Sequence, residues 1–126
     1  MNGNQLFLDT NIILYFLNGD KSLLPIFEEK QLFISFITQL ELLSFKAITE
    51  NEINQIEGFL NHCSIIEMSS RIKKDTIFLR RKYGLKLPDA IIAGSSLFLN
   101  APLFTADKAM ARISEIDLVY YQFNAD

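Results

Sequence analysis

The chain has 126 residues, of which 49% are hydrophobic and 21% charged, so a disordered polymer is excluded and one domain spanning residues 1–126 is expected. A formal net charge of -3 excludes a surface built throughout to coat nucleic acid, while leaving room for a local basic patch. One cysteine and one histidine rule out an intramolecular disulfide and a Cys/His zinc centre, and they point to a reducing compartment.

The predicted elements alternate along the chain. Residues 6–8 form a short buried strand, and Asp9 stands at the N-cap of a helix reaching Leu17, where Asn18-Gly19-Asp20 ends it. Ser22 opens a second helix to about Glu29, and residues 32–35 form the second strand. Thr38 then caps a helix carrying Leu40, Leu43 and Ala47 at helical spacing. Thr49-x-x-Glu52 is a capping box ahead of Ile53, Ile56, Phe59 and Leu60, followed by strand 64–66. A basic helix runs from about Ser70 to Tyr83 and closes at Gly84. Pro88 lies in the first turn of a richly apolar helix through Leu99. Strand 103–105, a short helix after Asp107 and strand 118–121 complete the chain. This rhythm predicts an α/β domain built of βαβ crossovers, its parallel sheet covered by helices on both faces. No apolar stretch approaches the ~20 residues of a membrane span. Met1-Asn2-Gly3-Asn4-Gln5 carries no positive charge ahead of the first apolar run, unlike a secretory signal, so the cytoplasm is the expected location.

Four acids occupy telling places: Asp9, Glu41, Asp89 and Asp107. Each has an ordinary role open to it. Asp9 and Asp107 fit N-caps, Glu41 fits the end of a Thr38-x-x-Glu41 capping box, and Asp89 complements the dipole of the helix that Pro88 opens. Together they point elsewhere. Asp9 and Asp107 directly follow strands and Glu41 follows one after a short turn, where open parallel sheets bind their ligands. Carboxylates gathered in one place repel, and a hard divalent cation relieves them. Oxygen donors without thiolate or imidazole select Mg²⁺ or Mn²⁺, metals suited to hydrolysing a phosphate ester. The charge map agrees with a polyanionic substrate. Seven of the twelve bases lie between Arg71 and Lys86, with Asp75 the only acid among them. A solvated helix face is the plainer reading of such a run taken alone.

The stretches that hold these acids resemble the motifs of PIN domains. Leu6-Phe7-Leu8-Asp9-Thr10-Asn11 is similar to the first, Thr38-Gln39-Leu40-Glu41-Leu42 to the second, Leu87-Pro88-Asp89-Ala90 to the third and Leu103-Phe104-Thr105-Ala106-Asp107 to the last. The likeness covers essentially the whole chain, at the length of the VapC-like toxins of bacterial toxin–antitoxin pairs. It implies a three-layer α/β/α sandwich with a five-stranded parallel sheet and a metal-dependent endoribonuclease leaving a 5′-phosphate and a 3′-hydroxyl. It implies Asp9, Asp89 and Asp107 as Mg²⁺ or Mn²⁺ contacts, Glu41 as ligand or water-orienting base, and Asn11 and Thr105 as supporting residues. Arg80, Arg81 and Lys82 are the expected grips on the RNA backbone. Where many relatives place a further acid after the last motif, this chain has Lys108-Ala109-Met110, which implies one firmly held metal and a second only with substrate. The expected partners are RNA, a small antitoxin seated in an apolar groove, and a second copy of the chain.

Rival chemistries fit less well. The stretch after Ile66 lacks the acceptor Asp of a receiver domain, and Asp9-Thr10-Asn11 lacks the second Asp of a haloacid-dehalogenase-type phosphatase. Gly94-Ser95-Ser96 lacks the Gly-x-Ser-x-Gly elbow of serine hydrolases. His62 and Cys63 are adjacent and so do not face each other as a catalytic pair. The remaining alternative is a catalytically silent scaffold of the same fold that only binds protein or RNA.

Overall fold

The structure, a computed structural model, describes residues 4–122; Met1, Asn2 and Gly3 of the opening segment and residues 123–126 lie outside them. The elements are β1 (Gln5–Leu8), α1 (Thr10–Leu17), α2 (Leu24–Glu28), β2 (Gln31–Ser35), α3 (Phe36–Leu43), α4 (Glu50–Leu60), β3 (Cys63–Ile66), α5 (Ser70–Tyr83), α6 (Leu87–Leu99), β4 (Leu103–Thr105) and β5 (Leu118–Tyr120). Two 3-10 turns, Lys21–Leu23 and Lys108–Arg112, complete the path. All five strands are parallel, in the order β3-β2-β1-β4-β5.

The pleat decides which side chain serves which layer. Leu6 and Leu8 of β1, with Leu32 and Ile34 of β2, face a core completed by Ile12 and Ile13 of α1, Phe27 of α2 and Ile56 and Leu60 of α4. Phe7 and Phe33 point to the opposite face, where Leu79 of α5 and Ile92 and Ala93 of α6 cover them. Both faces of the sheet are therefore buried, which gives the expected three-layer α/β/α sandwich. On the second face α5 and α6 meet so closely that a Cβ at Gly94 would lie 2.7 Å from Thr76 Oγ1.

Several local expectations are corrected. The third helix is capped by Ser35, whose Oγ accepts from the Ile37 amide, because β2 passes into α3 with no intervening turn. Thr38 is thus an interior helical residue, the Thr38-x-x-Glu41 box does not form, and α3 ends before Ala47, which has a φ of 65°. Ser22 does not open the second helix. Asp20 caps a 3-10 turn through the Ser22 amide, and α2 begins only at Leu24. The segment after Asp107 is likewise 3-10 rather than α-helical. Thr49 and Glu52 do form their reciprocal capping box, and Gly84 closes α5 at a φ of 66°.

The order of strands places the site. From β1 the chain passes to β2 and β3 on one side, then returns to β4 on the other, so strand order reverses between β1 and β4. The Asp9 amide donates to Phe104 O at 3.0 Å across that junction. A crevice beyond the carboxyl ends of the strands at such a point is where this class of sheet binds ligands.

Candidate active site

Asp9 leaves β1 at the reversal point and is 6% exposed. Its Oδ1 accepts from the Thr10 amide at 2.8 Å, so the cap role is real, and its Oδ2 accepts from Thr105 Oγ1 at 2.6 Å. Thr105 ends β4, is fully buried, and its hydroxyl oxygen also accepts from the Asp107 amide at 3.0 Å. One hydroxyl therefore joins the first and last acids. Asp107 caps the following turn through the Ala109 amide at 3.0 Å. Asn11 reaches the same loop, its Oδ1 accepting from the Ala106 amide at 3.4 Å.

Asp89 arrives from another layer, in the first turn of α6, where Pro88 supplies a preset φ and the helix dipole favours an acid. Glu41 comes from α3 and is held by Thr10 Oγ1, which donates to its Oε1 at 2.8 Å. Thr10 Oγ1 also lies 2.9 Å from Thr38 Oγ1. Neither Thr10 nor Thr38 was marked by the sequence as part of the site. The signal was present in Thr10, a hydroxyl residue directly after an acid at a strand end, whereas Thr38 resembled a cap.

Electrostatically the acids act on one another. Burial pushes the Asp9 carboxyl up to about 6, the hydrogen bonds from Thr105 and Thr10 oppose that rise, and the charges of Asp89 and Asp107 add to it. Asp89 is also raised, first by burial, then by Asp107 and Glu41, with Lys86 pulling the other way. The four acids thus share one electrostatic neighbourhood, in which Lys86 opposes the rise at Asp89. Among the described residues, however, no three of them close into a ready-made metal cage. The donor chemistry, carboxylate oxygens in excess of positive charge, suits a hard divalent cation.

The basic helix divides in use. Lys82 is tied to Glu115 at 2.6 Å and Arg71 to Asp75 at 3.2 Å. Arg80 and Arg81 are exposed and form no ion pair among the described residues. They line a cavity of about 520 Å³ together with Ile77, Leu85 and Leu87, the last in the same helical turn as Asp89. Cys63 is excluded as a nucleophile, since burial pushes its thiol up to about 11.

A second concavity, of about 590 Å³, lies among α1, α2 and α4. Phe16, Phe27 and Phe59 form its aromatic wall, with ring centroids 5.1 to 5.8 Å apart, and His62 lies on its lining. Gly58 of α4 also lines it, although a Cβ there would meet nothing within 4 Å.

The comparisons with known proteins agree with this fold. The family model described as PIN domain matches residues 6–116. A toxin–antitoxin complex from Klebsiella pneumoniae contains a chain 30% identical to this one, with a TM-score of 0.78, covering 90% of this chain and 95% of that one. VapBC-1 from nontypeable Haemophilus influenzae matches at 25% identity and a TM-score of 0.78, covering 92% and 97%. VapBC2 from Rickettsia felis, solved bound to a DNA fragment from its promoter, matches at 24% identity and a TM-score of 0.80, covering 92% and 98%. No curated protein matches the chain. With nearly the whole chain matched, a parallel five-stranded sandwich and acids gathered at its switch point, the chain belongs to the PIN-domain family and is VapC-like in build.

Proposed function

We propose that the chain is a metal-dependent endoribonuclease, the toxin of a toxin–antitoxin pair. One observation carries the reading: Asp9 and Asp89, brought together with Asp107 and Glu41 at the sheet's switch point, are both raised, first by burial and then by the charge of neighbouring acids. A fold stabilised for its own sake would not keep such a group, which marks a functional site. Asp9, Asp89 and Asp107 would hold Mg²⁺ or Mn²⁺, which when bound supplies Lewis acidity toward the scissile phosphate. Thr105 orients Asp9 and positions the Asp107 backbone, and Asn11 steadies the loop between them. Glu41 completes the polar wall, as ligand or as the group that orients the attacking water. Arg80 and Arg81 grip flanking phosphates, whereas Lys82 reaches RNA only by leaving Glu115.

The antitoxin's place is the groove of Phe16, Phe27 and Phe59, an apolar trough suited to an amphipathic segment. Gly58 supports this use, because a mid-helix glycine facing open space costs stability and leaves room for a partner's backbone. Exposed Ile77, Phe78 and Leu87 give the α5–α6 side the apolar surface that a homodimer would bury. Co-expression with the neighbouring reading frame should yield a stable complex that is lost on Gly58→Leu, and sedimentation should show paired toxin chains.

The deciding experiment is cleavage of a mixed tRNA and ribosomal RNA pool with Mg²⁺ or Mn²⁺. Discrete fragments that vanish with EDTA or in Asp9→Asn are expected, with a loss of about a thousandfold or more. Folded, antitoxin-free protein that cuts nothing would instead support a silent binding scaffold.

A further inference from the structure

Glu41 stands in the last turn of α3, on the same face as Thr38 three residues before it. Thr10, the first residue of α1, places its hydroxyl between the two, 2.8 Å from Glu41 Oε1 and 2.9 Å from Thr38 Oγ1. Donor counting fixes the direction of this chain. Thr10 Oγ1 donates to Glu41 Oε1, which uses its single hydroxyl hydrogen, so Thr38 must donate to Thr10. Thr38 is 0% exposed, so water does not substitute for that bond. A hydroxyl residue inside a helix commonly returns its hydrogen to a carbonyl one turn back, as Ser95 does to Ile91 O at 2.7 Å in α6. Thr38 directs its own across to α1 instead.

We propose that Thr38 and Thr10 are positioning residues for Glu41, two hydroxyls in series that commit Oε1 and leave Oε2 as the oxygen presented to the substrate; the inference rests on the nuclease reading above. A glutamate side chain without such an anchor spreads over several staggered rotamers. Here it would also turn away from Asp89, whose negative charge shares its neighbourhood. Because Thr10 directly follows Asp9, the relay ties the acid carried by α3 to the backbone that carries the acid of β1.

The test compares wild type, Thr38→Val, Thr38→Ser, Glu41→Ala and the Thr38→Val/Glu41→Ala double variant in RNA cleavage, with melting curves to confirm folding. Valine keeps the shape and removes the hydroxyl. The relay predicts a kcat at least about tenfold lower in Thr38→Val with KM nearly unchanged, and near-complete recovery in Thr38→Ser. It also predicts no further loss when Thr38→Val is added to Glu41→Ala, the signature of two residues acting as one. Wild-type kinetics in Thr38→Val, an equal loss in the Glu41→Ala background, or failure of serine to restore activity would each overturn the proposal. Absence of cleavage by the wild type would overturn the nuclease reading, and crystal structures then still test the relay. Glu41 should hold Thr10 in wild type and Thr38→Ser and turn away in Thr38→Val; an unmoved Glu41 in the valine variant would refute it.

Discussion

Asp9 and Glu115 are carboxylates of the same small domain, and the fold treats them in opposite ways. Glu115 lies before β5, where Lys82 Nζ donates to one oxygen and Tyr83 Oη to the other, each at 2.6 Å. These donors pull its carboxyl down to about 2. Asp9 has two neutral donors, deep burial and acidic neighbours, and is pushed up to about 6. Glu115 joins the end of α5 to the segment before β5 and is satisfied within the chain. Asp9 sits where strand order reverses and is left wanting positive charge. Glu115 is paired with a cation of its own chain, whereas Asp9 has hydrogen bonds to both oxygens but acids for charged neighbours, the pattern of a functional-site candidate.

The contrast sharpens or breaks through three variants, taken from largest effect to smallest. Thr105→Val removes the hydroxyl that Asp9 and the Asp107 amide share. A loss of about 2 to 3 kcal/mol in urea denaturation is expected near neutral pH, since two buried polar groups lose their partner. The loss should shrink as pH falls through about 6, where Asp9 takes up its proton in the folded chain; a loss independent of pH would place the cost elsewhere. Gly58→Ala should instead stabilise the isolated chain by about 0.5 to 1 kcal/mol, because the added Cβ meets nothing and alanine favours the helix. Destabilisation there would show that α4 needs its glycine internally and would remove the groove's main anomaly. Glu115→Gln should destabilise the fold modestly at neutral pH, the Lys82 pair being solvent-screened, and leave RNA cleavage unchanged. The sign is opposite to that of Asp9: a lowered carboxyl stabilises above its unfolded value and loses that contribution as pH falls toward about 2. Impaired cleavage in Glu115→Gln would break the division between the two regions.

Much of this was legible in the sequence because local and global signals agree. Apolar triplets such as Leu6-Phe7-Leu8 read as strands buried on both faces, and the Thr49–Glu52 box and Gly84 mark helix ends by chemistry that needs no tertiary context. The four acids were legible by their places after strands and beside Pro88. What escaped was set by contacts distant in sequence. Thr38 looked like a cap because nothing local distinguishes it from one, and only the arrival of Thr10, 28 residues away, gives its hydroxyl a different partner. Ser35 was hidden as a cap because a strand residue usually precedes a turn, and here β2 enters α3 directly. Lys82 read as a grip on RNA from a run of bases, while Glu115, 33 residues later, takes its charge. Gly58 lies in a regular helix and becomes notable only once the groove beside it is seen.

The central claim is that Asp9 is kept at a cost to stability that an external cation relieves. Equilibrium unfolding of wild type and Asp9→Asn between pH 4 and 8, in EDTA and then in Mn²⁺, tests it most directly. A folded carboxyl raised from 3.8 to about 6 holds its proton more tightly than the unfolded one, so its stabilising contribution is present below pH 4 and lost as pH rises through 6. In EDTA the wild type should therefore lose up to roughly 3 kcal/mol more than Asp9→Asn across that window, and Mn²⁺ should restore the difference in the wild type alone. Parallel pH profiles for the two proteins, with no response to Mn²⁺, would contradict the account.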